Sequence, residues 1–345
     1  MDAVVEEILK RLHVDDVVRC KSVCKSWYNL ISSNDFVKAH LKRNYSSNRE
    51  HGYLRIRLHP MINKYIELRN CMMVGSCNGL VCISTNTNNV PELLVTNPST
   101  REVRQLPMAP YKYRGRLCWG FGYDSSTDDY KVVVGFEESM HHMRFQVLSL
   151  KSNQWKSLKP NKWKFVEDCE YLTYNTTRNT YDRGFLYNGA LHWFMDDTKK
   201  KKKVILSFDL TLKKFKEIPL PNDMVDMYGH RNRLGLFEEH LCICEFNCYD
   251  YYAKHRQTWV MKSYNGWQLL PRDYEGNKYG SVTRAYVLDF IPDNTWHLVF
   301  DHKRNKHMSS KSWLNVGAPI FVKSLVSPLM KKKNNKSEES SKSEF

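Results

Sequence analysis

The sequence predicts a mainly β protein headed by a short helical unit, and three observations carry that prediction. Hydrophobic spacing is helical up to about residue 43 and changes to a period of two from Tyr53 onward. A strand, turn and second strand then recur about every 50 residues. Aromatic residues make up 13% of the chain, which argues against disorder and suits strands. With 345 residues, 41% of them hydrophobic, there is enough apolar material for more than one core.

The helical unit is read from its stripes. Val4, Val5, Ile8, Leu9 and Leu12 form one apolar stripe, so a first helix is expected there. Asp15 and Asp16 read as N-cap signals for a second run, in which Val17, Cys20, Val23, Cys24, Trp27, Leu30 and Ile31 keep helical spacing. A third helix is expected from Asp35, with Phe36, Val37, His40 and Leu41 on one side. Three helices this short bury little surface, so the unit needs a partner or a neighbouring domain, and its leftover apolar stripe is a plausible docking face.

Downstream, Leu54, Ile56 and Leu58 alternate with Arg55 and Arg57, as in a half-buried strand. Apolar strands recur at 79–83, 130–136, 189–194, 240–246 and 295–300. Asn78-Gly79 and Asn188-Gly189 precede two of them and are type I′ hairpin signals, since both residues tolerate positive φ. Each strand is followed by a polar turn and a second strand carrying a large residue: Val103, Trp155, Phe215 and Trp267 lie six positions after Asn97, Ser149, Asp209 and Met261. The spacings are 52, 60 and 52 residues, and a fainter copy at Asp301 follows after 40. One supersecondary unit of about 50 residues, unable to bury its own faces alone, points to a kelch-like β-propeller of about five or six degenerate blades. The late segment 318–326 is the candidate to close the ring by pairing near Tyr53 to Leu58. The expected domains are therefore 1–45, 46–328 and a disordered basic tail over 329–345.

The first region resembles an F-box, the adaptor-docking motif of SCF-type ubiquitin ligases, in VVEEILKRL at 4–12, VVRCKSVCKSWYNLISS at 17–33 and DFVKAHL at 35–41. The second resembles the plant F-box-associated domain of the S-locus F-box-like family, in SCNGLVCI at 76–83, NPSTREVRQLP at 97–107, GFGYDSSTDDYKVV at 120–133, ILSFDL at 205–210 and VKSLVSP at 322–328. Two departures stand out. No Leu-Pro pair precedes VVEEIL, and His13 replaces the Pro expected after Arg11-Leu12. The resemblance implies a non-catalytic substrate receptor without a cofactor. Its F-box would bind a Skp-type adaptor on a cullin scaffold, and its propeller would hold a protein target for ubiquitination and proteasomal degradation, in the cytoplasm or nucleus. The adaptor face, or its support, is assigned to Val5, Ile8, Leu9, Leu12, Val23, Cys24, Trp27 and Leu30. The alternative is an interaction scaffold or RNA-binding protein with a non-docking F-box remnant.

Charge and motifs bear on both readings. Lys and Arg number 53 against 37 Asp and Glu, a formal +16 that at first suggests nucleic acid. Five of those charges are the run Lys199 to Lys203, expected in an inter-strand loop, and more lie in the tail, so nucleic acid is disfavoured, as are strongly basic targets, and acidic or neutral protein targets stay open. Tyr111, Arg114, Arg116, Tyr249, Tyr251, Tyr252 and Arg256 mix Tyr and Arg as binding hot spots do, and are the candidate substrate contacts. No GxSxG, HExxH or Walker pattern is present, Gly120-Phe121-Gly122 reads as a flexible turn, and the ten Cys read as reduced, mostly buried thiols. No stretch reaches the ~18 apolar residues of a membrane helix.

Overall fold

The computed structural model describes residues 3–46, 71–87, 90–107, 109, 117–139, 142–158, 163–165, 181–197, 202–222, 224, 230–237, 240–247, 255–264, 266–269 and 322–329. Four helical segments come first: α1 (Ala3–Arg11), α2 (Val14–Cys20), α3 (Lys25–Ile31) and α4 (Asn34–Ser46). The second predicted helix is thus two. Cys24 is extended, at φ −159° and ψ 165°, and its Sγ accepts the Trp27 N–H at 3.5 Å as the N-cap of α3. Just before it, the Ser22 hydroxyl bonds back to the Arg19 carbonyl at 2.8 Å, competing with continuation of α2. Ser33 caps α4 by accepting the Phe36 N–H.

The β region consists of β1 (Cys71–Cys77), β2 (Leu80–Thr87), β3 (Val90–Asn97), β4 (Glu102–Leu106), β5 (Leu117–Asp124), β6 (Asp129–Ser139), β7 (His142–Ser149), β8 (Gln154–Ser157), β9 (Trp163–Phe165), β10 (Tyr181–Arg183), β11 (Phe185–Tyr187), β12 (Ala190–Asp197), β13 (Lys202–Asp209), β14 (Phe215–Ile218), β15 (His230–Phe237), β16 (His240–Asn247), β17 (His255–Ser263) and β18 (Gly266–Leu269). Among the described residues they make four antiparallel meanders, β1 to β4, β5 to β8, β11 to β14 and β15 to β18. Strand β10 is added in parallel to β5, and β9 pairs with β12. Four predicted apolar strands are β2, β6, β12 and β16; the fifth, 295–300, lies outside the described residues. Both hairpin signals hold, with positive φ at Asn78, Gly79, Asn188 and Gly189.

The sheets stack in chain order, and alternation along each strand sends side chains to both neighbours. In the second sheet Leu117, Trp119, Phe121, Val132 and Val134 pack onto Val74, Leu80, Cys82 and Leu93 of the first. From its other face Cys118, Val133 and Phe145 meet Leu191, Trp193, Leu206 and Phe208 of the third. Ile205 and Ile218 of the third then meet Leu241, Ile243 and Met261 of the fourth. Burial on two faces explains why YKVVVGF is almost continuously apolar. It also corrects the reading of Gly120-Phe121-Gly122, which lies inside β5 rather than in a turn. A Cβ at Gly120 would come within 2.7 Å of the Leu191 side chain, and one at Gly122 within 2.5 Å of Leu210. These positions are bare because the third sheet approaches there.

In the second, third and fourth sheets the large residue six positions into the repeat joins its sheet to the preceding one. Trp155 of β8 donates its indole N–H to the Pro107 carbonyl at 3.1 Å, and Trp267 of β18 donates to Pro219 at 3.0 Å. Phe215 of β14, whose side chain has no N–H, lies tilted against Phe145 of the second sheet with ring centroids 4.9 Å apart. Trp155→Phe and Trp267→Phe keep an aromatic ring there, though a smaller one, and lose the bond. Each is expected to cost about 1 kcal/mol, read as a lower urea midpoint at unchanged slope.

The closing segment differs from its predicted role. Residues 322–328 form no strand and instead lie between the helices and the first sheet, while Tyr53 to Leu58 fall outside the described residues. Leu325 completes the helical core of Leu9, Val14, Val17, Ile31 and Phe36. The Lys199 to Lys203 run is only partly a connection, since Lys202 and Lys203 belong to β13, in register with Asp197 and Asp196.

Candidate docking surfaces

The helical unit sorts its predicted docking residues by depth. Leu9 is buried, and Val5, Leu12, Trp27 and Leu30 are half-buried against the same core. Ile8 (54% exposed), Val23 (62% exposed) and Cys24 face outward. Val4 (62% exposed) and Tyr28 (54% exposed) join them, though the sequence reading did not assign them to the docking face. Val4 sits one turn before Ile8 on α1, so its i, i+4 spacing was the available signal. Single exposed apolar residues are ordinary; these four lie on α1, in the α2–α3 connection and on α3, and Tyr45 of α4 is a fifth at 42% exposed.

The helices sit at the end of the sheets that carries the turns following the first and third strands. Tyr45 of α4 donates its hydroxyl to Asn78 Oδ1 at 3.2 Å, in the turn between β1 and β2. Lys38 pairs with Asp128 at 3.0 Å, in the turn between β5 and β6. Burial alone would raise the Asp128 carboxyl, but bonds from Tyr123 and Lys38 and the charge of Lys151 hold it below the usual carboxylate value. The turn between β13 and β14 belongs to the same end, because Thr211 Oγ1 donates to Asp124 Oδ1 at 3.3 Å. So does the fourth sheet's, since Tyr264, closing β17, stacks on His192 beside the Asn188-Gly189 turn.

Antiparallel order then fixes the opposite end, where β5, β13 and β17 begin. Tyr111, Arg114 and Arg116 precede β5 in sequence, and Tyr249, Tyr251 and Tyr252 precede β17; all six lie outside the described residues. Arg256 is the second residue of β17, on that far end, with its side chain undescribed. Among the described residues, no three His, Cys, Asp or Glu side chains converge as metal ligands. No described helix is long and apolar enough to cross a membrane.

Comparison with known proteins agrees with this architecture. The F-box associated beta propeller domain matches residues 32–269, more than half of the chain. The chain belongs to that family. The F-box domain matches residues 2–39, so this F-box-associated propeller protein carries both parts. "F-box protein CPR1" of Arabidopsis thaliana is 29% identical over 302 residues, covering 76% of this chain and 69% of that protein. "F-box protein At4g22390" of the same plant is 27% identical, covering 81% and 74%. "F-box/kelch-repeat protein At3g23880", at 27% identity, covers 63% and 64%. Among solved structures, "Bacteroides ovatus Xyloglucan PUL GH43B" aligns with 59% of this F-box protein and 40% of its own chain, at a TM-score of 0.32 and 9% identity, too distant to bear on function.

Proposed function

We propose that this F-box protein is the non-catalytic, target-binding subunit of an SCF-type ubiquitin ligase. Its helical unit binds a Skp-type adaptor on a cullin scaffold, and its propeller holds a protein target for ubiquitination and degradation. The observation that carries the reading is the exposed apolar set Val4, Ile8, Val23 and Tyr28 on a helical unit whose core is already completed by Leu325 of residues 322–328. Burying those side chains in a partner would supply the hot-spot core of an interface.

The target is assigned to the sheet end remote from the helices, around the starts of β5 and β17 and the sequence positions Tyr111, Arg114, Arg116, Tyr249, Tyr251, Tyr252 and Arg256. A target held there would be kept at a set distance from the docking helices. Holding two reactants together replaces a bimolecular encounter with an effectively intramolecular one, and that is the receptor's contribution to the chemistry done by other subunits.

The test is adaptor binding by the full chain, with Ile8→Asp and Val23→Asp. Each variant is expected to weaken binding about tenfold or more, the scale of one lost hot-spot contact. Both should melt like the parent, because the side chains are exposed. Unchanged binding in both variants would overturn the assignment of the face. Silence of the chain, and of a form extended upstream by a Leu-Pro pair, would overturn the receptor reading. Steeply salt-dependent RNA binding, lost when Arg114 and Arg116 become Ala, would replace it with the nucleic-acid alternative.

A further inference from the structure

We infer that residues 322–328 are a strap that completes the helical docking unit and locks it to the first sheet. The docking helices and the propeller would then be one mechanical body rather than two modules on a linker.

Three sets of contacts carry this. On the helical side, Leu325 is buried among Leu9, Val14, Val17, Ile31 and Phe36, a core residue supplied by a segment more than 280 positions away in sequence. Asn44 of α4 donates its amide to the Lys323 carbonyl at 3.2 Å, and Lys323 pairs with Asp15 of α2. On the sheet side, the buried Asn97 amide donates to the carbonyls of Ser324 at 2.9 Å and Val326 at 2.7 Å. The Ser324 hydroxyl donates to the Asn78 carbonyl at 2.6 Å, and Arg104 reaches the Pro328 carbonyl at 3.2 Å. The strap forms no ladder of its own, so these side chains satisfy carbonyls that a strand would have paired.

The third set is a comparison inside the molecule. Gly79 and Gly189 occupy the same place in two equivalent Asn-Gly hairpins, with φ of +79° and +71°. A Cβ on Gly189 would meet nothing within 4 Å. A Cβ on Gly79 would lie 2.2 Å from Ser324 Oγ and 2.6 Å from the Val322 carbonyl. Positive φ explains a glycine at both positions, but only at Gly79 does the strap demand one as well. The first residue of the repeat is specialised in the same way. Asp209 uses its carboxylate only on the local N–H groups of Thr211 and Leu212, whereas Asn97 accepts the local Ser99 N–H on Oδ1 and gives its amide N–H groups to the strap.

Two neighbouring links act with the strap. Lys38 to Asp128 and Tyr45 to Asn78 tie α4 to the turns of the second and first sheets. If the helices bind an adaptor as proposed above, the strap sets where a held target stands relative to the rest of the ligase. The strap itself does not rest on that reading, because its test needs no partner.

The experiment is amide hydrogen exchange on the full chain, comparing Gly79→Ala, Gly189→Ala and Leu325→Ala with the parent. Both glycine variants carry the cost of a Cβ at positive φ, so their difference isolates the strap. Gly79→Ala and Leu325→Ala are expected to speed exchange in α1, α2 and α4 by about tenfold or more while β15 to β18 keep their protection. Gly189→Ala is expected to leave the helices unchanged. Equal helix exchange in the two glycine variants, or unchanged helix exchange in Leu325→Ala, would overturn the inference. Should Leu325→Ala not fold, the glycine pair decides alone. Adaptor binding, measured separately on the parent, reports on the receptor reading, so failure of one is distinguishable from failure of the other.

Discussion

Trp193→Ala is expected to destabilise the protein by about 3–5 kcal/mol, a large share of the ~5–15 kcal/mol that holds a typical domain folded. Trp193 is fully buried on β12, where the third sheet meets the second. Its indole donates to the Trp119 carbonyl at 3.0 Å, and its ring is tilted against Phe145 with centroids 5.8 Å apart. Two of its neighbours are glycines: a Cβ at Gly184 would lie 2.5 Å from Trp193 Nε1, and one at Gly120 3.0 Å from its ring. Glycines have no side chain to move into the space that Ala would leave, so the cavity would stay largely unfilled. Trp193→Phe keeps most of the volume and loses the hydrogen bond, and should cost clearly less. Urea denaturation of both variants is the measurement. A loss below about 1 kcal/mol in Trp193→Ala would show that the contact between second and third sheets is not a main source of stability.

Acid is expected to weaken the fold through a buried histidine. His192 of β12 donates Nδ1–H to the Phe185 carbonyl at 3.2 Å, and its Nε2 lies 3.1 Å from the Ser207 hydroxyl, which donates to it while the ring is neutral. Burial pushes its pKa down to about 4, against the pull of its bonds to the backbone of Phe185 and Ala190. The ordinary value is 6.5, so between those values the unfolded chain takes up a proton that the folded one refuses. Stability is therefore fully present above about pH 6.5, falls as pH drops toward 4, and levels off below it, a loss on the order of 3 kcal/mol. His40, buried in the helical core and also lowered chiefly by burial, contributes with the same sign. Asp124 and Asp128 act in a different window. Both are held below 3.8 despite burial, by hydrogen bonds from Ser126 and Thr127 in one case and Tyr123 and Lys38 in the other. Their contribution is lost only as pH falls through those lower values. Denaturation midpoints at pH 7, 5.5 and 4.5 should decline in the parent and decline less in His192→Gln. Equal slopes would remove His192 as the cause.

What could be read from the chain without coordinates is the part governed by neighbours in sequence. Asn78-Gly79 and Asn188-Gly189 specify tight hairpins because two adjacent residues tolerate positive φ, whatever surrounds them. The large residue six positions into each repeat was visible as a regularity, although its function in joining one sheet to the previous one was not. That function depends on partners 48 positions away, Pro107 for Trp155 and Pro219 for Trp267. Of the docking residues, the α1 stripe was legible, but not which members face inward. Leu9 and Ile8 are adjacent and equally apolar, and only packing against α2, α4 and Leu325 hides one and exposes the other. The break at Cys24 was missed because Cys20, Val23, Cys24 and Trp27 keep helical spacing across it, and a cysteine sulfur is an unusual cap.

The sequence by itself determined the class of the protein: a helical stripe, then short two-sided strands returning at a steady interval, with F-box motifs at one end and propeller motifs along the rest. These are periodic properties, set by side-chain direction within one helix or strand. Only the tertiary structure decided how the parts are joined. The segment 322–328 reads locally as one more strand, yet it leaves the ladder to fill the helical core with Leu325 and to occupy the space that Gly79 keeps open. No local pattern carries that information, because the stabilisation comes from contacts whose partners are separated by more than two hundred residues, such as Asn97 to Ser324. Which of two compatible arrangements a segment adopts is settled by the surface available to bury it, and that surface exists only once the chain has folded.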